Sequence, residues 1–200
     1  MKQPMNLEIG STSKSGGPSS DQWPTLFLDV DGVLNAFQFD VELASFDDFT
    51  DHAITIDDQH GLSRTFDVCL SRTMGERIAS LRALIVWVTT WEQHADTYIA
   101  PLCGLPTGMG VLAGPGGVGT WNGTWKFDAV RRAVGDHPRP FVWVDDDLDI
   151  FGMGSDSARR WAADLPIENL LLSPDPRTGL THGQLEAIEA FLAQVTDGMA

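Results

Sequence analysis

Three short runs in this chain are apolar at every position, and each stops abruptly on an acid or a hydroxyl. Leu26-Phe27-Leu28, within a strand expected over 25–29, ends on Asp29, Leu84-Ile85-Val86-Trp87-Val88 on Thr89, and Pro140-Phe141-Val142-Trp143-Val144 on Asp145. A strand with one wet face alternates polar and apolar residues, so runs like these belong to strands covered on both sides. Helical spacing fills the gaps between them. Ile78, Leu81 and Leu84 or Ile85 mark a helix over 71–84, capped by Ser71 or Thr73 with Glu76 three residues past Thr73. Further helices are expected over 92–102, 124–134, 155–163 (capped by Ser155 or Asp156) and 181–195, with shorter strands at 109–113 and 169–172. This alternation predicts an α/β fold, a Rossmann-like parallel five-stranded sheet with helices on both faces. In such sheets polar ligands sit at the carboxyl ends of the strands, where Asp29, Thr89 and Asp145 stand.

The first run continues as Asp29-Val30-Asp31-Gly32-Val33-Leu34-Asn35. Residues i and i+2 of a strand point the same way, so Asp29 and Asp31 are expected to share one small space, with Gly32 turning the chain away. Two carboxylates that close raise one another's pKa unless a cation joins them. The same residues also suit an Asp-rich turn after a strand, and the rest of the chain has to decide between the two. Lys126, at a helix start, is the only lysine after Lys14 in a body that otherwise uses arginine. A compact, flexible ammonium serves where a guanidinium fork does not. Asp145 opens an Asp145-Asp146-Asp147 cluster.

Residues 1–22 read as a disordered tail, and 23–200 as one domain with an insert over 36–68. The insert is acidic: residues 40–58 hold Asp40, Glu42, Asp47, Asp48, Asp51, Asp57 and Asp58 without Lys or Arg. Alternating pieces at 52–56 and 65–70 flank Gln59-His60-Gly61 as in a hairpin, which suggests a β-rich flap above the end of the first strand; a solvated surface excursion is the other reading. Gly114-Pro115-Gly116-Gly117-Val118-Gly119 lacks the Gly-Lys-Ser/Thr of a phosphate loop and is expected to be mobile.

The 200 residues carry a formal charge of −15, and the four charges of the tail cancel, so the excess lies on the folded part. Such a surface repels phosphate backbones, which argues against a nucleic-acid partner. It allows a small phosphorylated ligand where cations reverse the local potential. The two cysteines build no disulfide framework, and no apolar stretch is long enough to span a membrane; a cytoplasmic protein is expected.

A carboxylate nucleophile, a nearby second acid, further aspartates, a hydroxyl and one lysine form a kit for phosphoryl transfer with Mg²⁺. The ordered motifs resemble the haloacid dehalogenase (HAD) superfamily. Leu28-Asp29-Val30-Asp31-Gly32-Val33-Leu34 matches its first motif and Val86-Trp87-Val88-Thr89 its second. Lys126 matches the third, and Val142-Trp143-Val144-Asp145-Asp146 the fourth. The resemblance covers roughly residues 25–172 and implies a Mg²⁺-dependent phosphatase on a phosphomonoester. Asp29 would be the nucleophile and Asp31 the acid and base. Thr89, preferred over Thr90 because it ends the apolar run, would bind phosphate with Lys126. Asp29, the main-chain carbonyl of Asp31, and Asp145 would hold the metal, with Asp146 a further ligand or a partner to one. An acid at position 31 points away from dehalogenases and transport ATPases. The Trp-Val-Thr-Thr-Trp and Trp-Val-Asp-Asp-Asp segments resemble a little-described bacterial group of the superfamily. No large helical cap separates the first two motifs, so the flap and the glycine-rich loop are expected to cover the site.

Two other functions compete. A receiver domain uses similar groups, but its phosphorylated Asp ends the third strand and its Lys follows the Thr; here the third run ends in Ala113-Gly114 and Lys126 precedes the second acidic cluster. A HAD-fold binding protein without activity is the second. Trp87 and Trp143 are expected in the core, and Trp91 and Trp125 either pack there or stack on a substrate ring. His60 and His94 are expected to be structural or on the surface, and Cys69 and Cys103, with no adjacent base pattern, are not expected to act as nucleophiles.

Overall fold

All the apolar runs enter one sheet. The computed structural model describes residues 23–37, 42–57, 62–114, 124–149 and 157–198. In chain order, β1 (Thr25–Leu28) precedes a hairpin of β2 (Phe49–Asp57) and β3 (Ser63–Ser71), then α1 (Arg72–Ala79) and β4 (Leu84–Trp87). A π-helical turn, Ala95–Ile99, runs into α2 (Ala100–Cys103), followed by β5 (Gly110–Val111) and α3 (Trp125–Asp136). The chain ends with β6 (Phe141–Val144), α4 (Ala158–Ala163), β7 (Asn169–Leu172) and α5 (His182–Asp197).

The five-stranded sheet has the order β5-β4-β1-β6-β7, with every pairing parallel. The first strand is therefore central. Its residues alternate between two cores: Leu26 and Leu28 join Met74, Ile78, Ile99 and Leu185 on one face, while Phe27 joins Trp125, Val130, Trp143 and Ala158 on the other. The segment through α2, with α1 and α5, covers the first face; α3 and α4 cover the second. Each fully buried Leu or Ile contributes roughly 1.5–3 kcal/mol, and the interior positions of β1, β4 and β6 are apolar throughout. Trp87 and Trp143 lie fully inside, as expected.

The insert forms the expected hairpin, with longer strands than the alternating pieces indicate and with His52 opposite Val68 in an antiparallel register. Ile54, Ile56, Val68 and Leu70 face the first core, so this sheet packs on the domain instead of standing in solvent. Its acidity has a structural use at Asp48. That carboxylate accepts hydrogen bonds from the Ser71 hydroxyl and from the Thr73 N–H at 2.8 Å, while Ser71 Oγ accepts the Met74 N–H at 3.0 Å. Ser71, not Thr73, thus caps α1. Burial opposes ionisation of Asp48, but these donors outweigh it and hold its pKa below the ordinary value.

Several boundaries move. The first helix stops at Ala79 rather than continuing to residue 84, because Ser80 closes it and Leu84 is already needed in β4. The expected strand at 109–113 shrinks to two residues beside Gly108, whose φ is +80°. The 155–163 helix begins at Ala158 under a Ser157 cap, and residues 155 and 156 lie outside the described residues. So do the tail, Asp40, Asp58, the Gln59-His60-Gly61 turn and residues 115–123 of the glycine-rich segment. Thr181 and Gln184 open α5 with a reciprocal capping box. Among the described residues, no helix is long and apolar enough to cross a membrane.

Candidate active site

The sheet register assembles the site. Leu28 lies level with both Trp87 and Val144, so the next residues of three neighbouring strands leave the sheet together. The Asp29 N–H donates to the Val144 carbonyl at 3.1 Å, and the Val88 N–H to the Leu28 carbonyl at 2.9 Å. Asp29, Thr89 and Asp145 therefore stand at one sheet edge, all buried. After Asp29 the chain turns tightly: the Val30 carbonyl accepts from the N–H groups of Val33, Leu34 and Asn35. Gly32 takes φ = +71° there, a conformation that a Cβ disfavours.

Lys126, on the first turn of α3, reaches into this edge. Its Nζ lies 2.5 Å from Asp29 Oδ2 and 3.0 Å from Asp145 Oδ2. Burial alone would depress its pKa, but the two carboxylates outweigh that and raise it, so the ammonium stays charged. The acids still outnumber it. Burial and the charge of Asp29 push Asp145 well above the usual carboxylate range. The same two causes, with Asp147 added, carry Asp146 up to about 7. Asp29, Asp145 and Asp146 each offer a carboxylate oxygen, all within 4.8 Å of one another. A set of hard oxygens with surplus negative charge fits a small hard dication. The Asp147 N–H donates to Asp145 Oδ1 at 3.0 Å, leaving Oδ2 toward Lys126.

Asp31 stands apart from that cluster. Its Oδ1 accepts from Asn35 Nδ2 at 2.8 Å and its Oδ2 from Trp91 Nε1 at 2.9 Å. Burial and the nearby Asp29 raise its pKa, partly offset by these two donors. The i, i+2 spacing suggests one shared space for Asp29 and Asp31, but β1 ends at Leu28 and the two take different partners: one carboxylate is tied to the lysine, the other to neutral N–H groups. The Thr89 hydroxyl is fully buried and accepts the Trp91 N–H at 3.3 Å, which leaves its proton to donate elsewhere. Thr90 sits half-buried in the turn that follows.

Asn35 closes the sequence stretch that opens the site, yet its chemistry is not evident from local pattern. Trp91 packs with its ring 5.2 Å from Phe66 of β3 and is 5% exposed, so packing, not an open stacking face, describes it. Trp125 is likewise buried. The His94 ring stacks on Tyr98. Burial pushes the thiol of Cys69 up to about 11 and that of Cys103 up to about 12, so neither supplies a thiolate at neutral pH. A cavity of about 640 Å³ lies beside Asn35, walled by Phe37, Asp51, His52, Asp67 and Cys69.

Residues 25–185 match the family described as the HAD domain in Swiss Army Knife RNA repair proteins. No curated protein and no solved structure matches the chain.

Proposed function

The chain belongs to the family of HAD domains in Swiss Army Knife RNA repair proteins, and on that premise we propose that it is a Mg²⁺-dependent phosphohydrolase acting through an aspartyl-phosphate. The observation that carries this reading is the buried Lys126 ammonium bridging Asp29 and Asp145, with Asp146 close by. Motif order speaks against a receiver domain: the third strand run ends in Ala113-Gly114 without an acid, and Lys126 precedes the Asp145-Asp146-Asp147 cluster.

In this mechanism an Asp29 oxygen attacks phosphorus, and the bond to the leaving oxygen breaks as that oxygen takes the proton of Asp31. Asp31, now a carboxylate, removes a proton from the water that attacks the aspartyl-phosphate. Inorganic phosphate leaves, Asp29 is restored, and Asp31 is protonated again. Lys126 and the Thr89 hydroxyl hold phosphate oxygens during both steps, with Thr90 the less favoured hydroxyl. Asp29, Asp145, Asp146 and the Asp31 carbonyl would hold Mg²⁺, which when bound supplies positive charge between the carboxylates and the phosphate dianion.

The net charge of −15 favours a small phosphomonoester as substrate. A second reading, the terminal phosphate of an RNA strand, is favoured by the description of the matched family. Purified protein with Mg²⁺ should hydrolyse para-nitrophenyl phosphate, and Asp29→Asn should abolish turnover. Parallel assays with glycerol phosphate and with 5′- and 3′-phosphorylated oligoribonucleotides separate the two substrate readings. Turnover unaffected by Asp29→Asn sinks the mechanism, and no turnover of any ester would leave a binding protein of the same fold.

A further inference from the structure

We propose that Asn35 and Trp91 are positioning residues for Asp31 and that β3 of the hairpin sets both of them; this rests on the phosphohydrolase reading above. Each oxygen of the Asp31 carboxyl group accepts one N–H, from Asn35 at 2.8 Å and from Trp91 at 2.9 Å. A carboxyl group held at both oxygens keeps one rotamer, and its remaining lone pairs define where a transferable proton sits. An acid that must meet a leaving oxygen at hydrogen-bond distance gains from that restriction.

Both donors are in turn held by one strand. Asn35 Oδ1 accepts the Cys69 N–H at 2.8 Å, and Asn35 pairs with Leu70 in an isolated antiparallel bridge. Phe66, three residues before Cys69 on the same strand, packs against the Trp91 ring. The amide of Asn35 is therefore oriented, since its oxygen is committed to β3 and its nitrogen faces Asp31. Trp91 adds a second link, because its main-chain N–H donates to Thr89 Oγ1 while its indole N–H donates to Asp31. The hairpin thus acts on the acid through two residues.

The leaving group separates positioning from bulk structure. An alkoxide needs its proton as it departs, whereas para-nitrophenolate leaves as a stable anion. In Asn35→Ala and Trp91→Phe, kcat/KM should fall further for glycerol phosphate than for para-nitrophenyl phosphate, by a factor of about ten or more. Phe66→Ala should move the ratio in the same direction by a smaller factor. It guards against failure of a core variant to fold, because Phe66 is only partly buried. An ester ratio unchanged within about twofold in folded variants overturns the proposal. The indole N–H resonance of Trp91 provides a readout without turnover: it should move upfield in Asp31→Ala, and a signal that stays put also overturns it. Turnover that fails in the wild type with every ester sinks the phosphohydrolase reading and this one together. Normal wild-type turnover, lost in Asp29→Asn, with an unchanged ratio sinks this one alone.

Discussion

A Cβ built on Gly32 would lie 2.3 Å from Cγ of Asp146, closer than any real side chain tolerates. The missing carbon lets the turn after β1 and the turn after β6 close on one another, which brings Asp146 within reach of Asp29. Gly32→Ala should therefore do two things. The φ of +71° should destabilise the fold by roughly 1–2 kcal/mol, read as a lowered urea midpoint. Displacement of Asp146 should weaken Mg²⁺ binding about ten- to hundredfold by calorimetric titration. Unchanged Mg²⁺ affinity would remove Asp146 from the metal set.

Removing the ammonium leaves two buried carboxylates facing one another. Lys126→Met should be destabilised by about 3–5 kcal/mol in denaturant titrations without metal. Its stability should recover as the pH is lowered, because protonation relieves the repulsion. Lys126→Arg keeps the charge but not the shape, and phosphatase activity should fall by about a hundredfold or more. Wild-type activity in the Arg variant would show that Lys126 acts only as a charge.

The raised acids set the sign of the pH dependence. Asp146 titrates at about 7 in the folded protein against 3.8 for an ordinary Asp, and Asp145 is raised with it. Between those values the folded state binds more protons than the unfolded chain. Their contribution is fully present below 3.8 and is lost as pH rises through about 7. Metal-free protein should thus melt at a lower temperature at pH 8 than at pH 5. Protons and metal compete for the same oxygens, so Mg²⁺ should raise the melting temperature strongly at pH 8 and little at pH 5. Calorimetry with and without chelator checks this, and equal Mg²⁺ stabilisation at both pH values would contradict it.

Asp48 belongs to the acidic insert but holds the start of α1. Asp48→Ala should lower stability by about 1 kcal/mol through the lost cap, with kcat/KM on para-nitrophenyl phosphate unchanged. A loss of activity at full stability would give this acid a part in the chemistry instead.

The strands and the acids at their ends were legible because burial on two faces leaves an unbroken apolar run, a pattern that needs no knowledge of partners. The start of α1 was legible to within two residues, because a cap acts over three residues, with Ser71 and Thr73 both open as caps; α5 was legible as a helix from residue 181, without its capping box. The shortening of β5 was not, because an edge strand depends on what its neighbour leaves unpaired. Nor was the Ser157 cap, chosen among several adjacent polar residues. Asp48 lies 23 residues from Ser71, and Trp91 lies 60 from Asp31; local pattern carries nothing across such gaps.

By itself the sequence determined an α/β chain whose apolar strands end in Asp29, Thr89 and Asp145, with one lysine kept at a helix start, because those features follow from periodicity and residue chemistry within a few positions. Only the tertiary structure decided that β1 lies between β4 and β6, so that three strand ends and Lys126 meet at one edge. It also gave Asp29 the lysine and Asp31 the two N–H donors. That division depends on which strands pair and how the hairpin packs, and those are contacts between residues far apart in the chain.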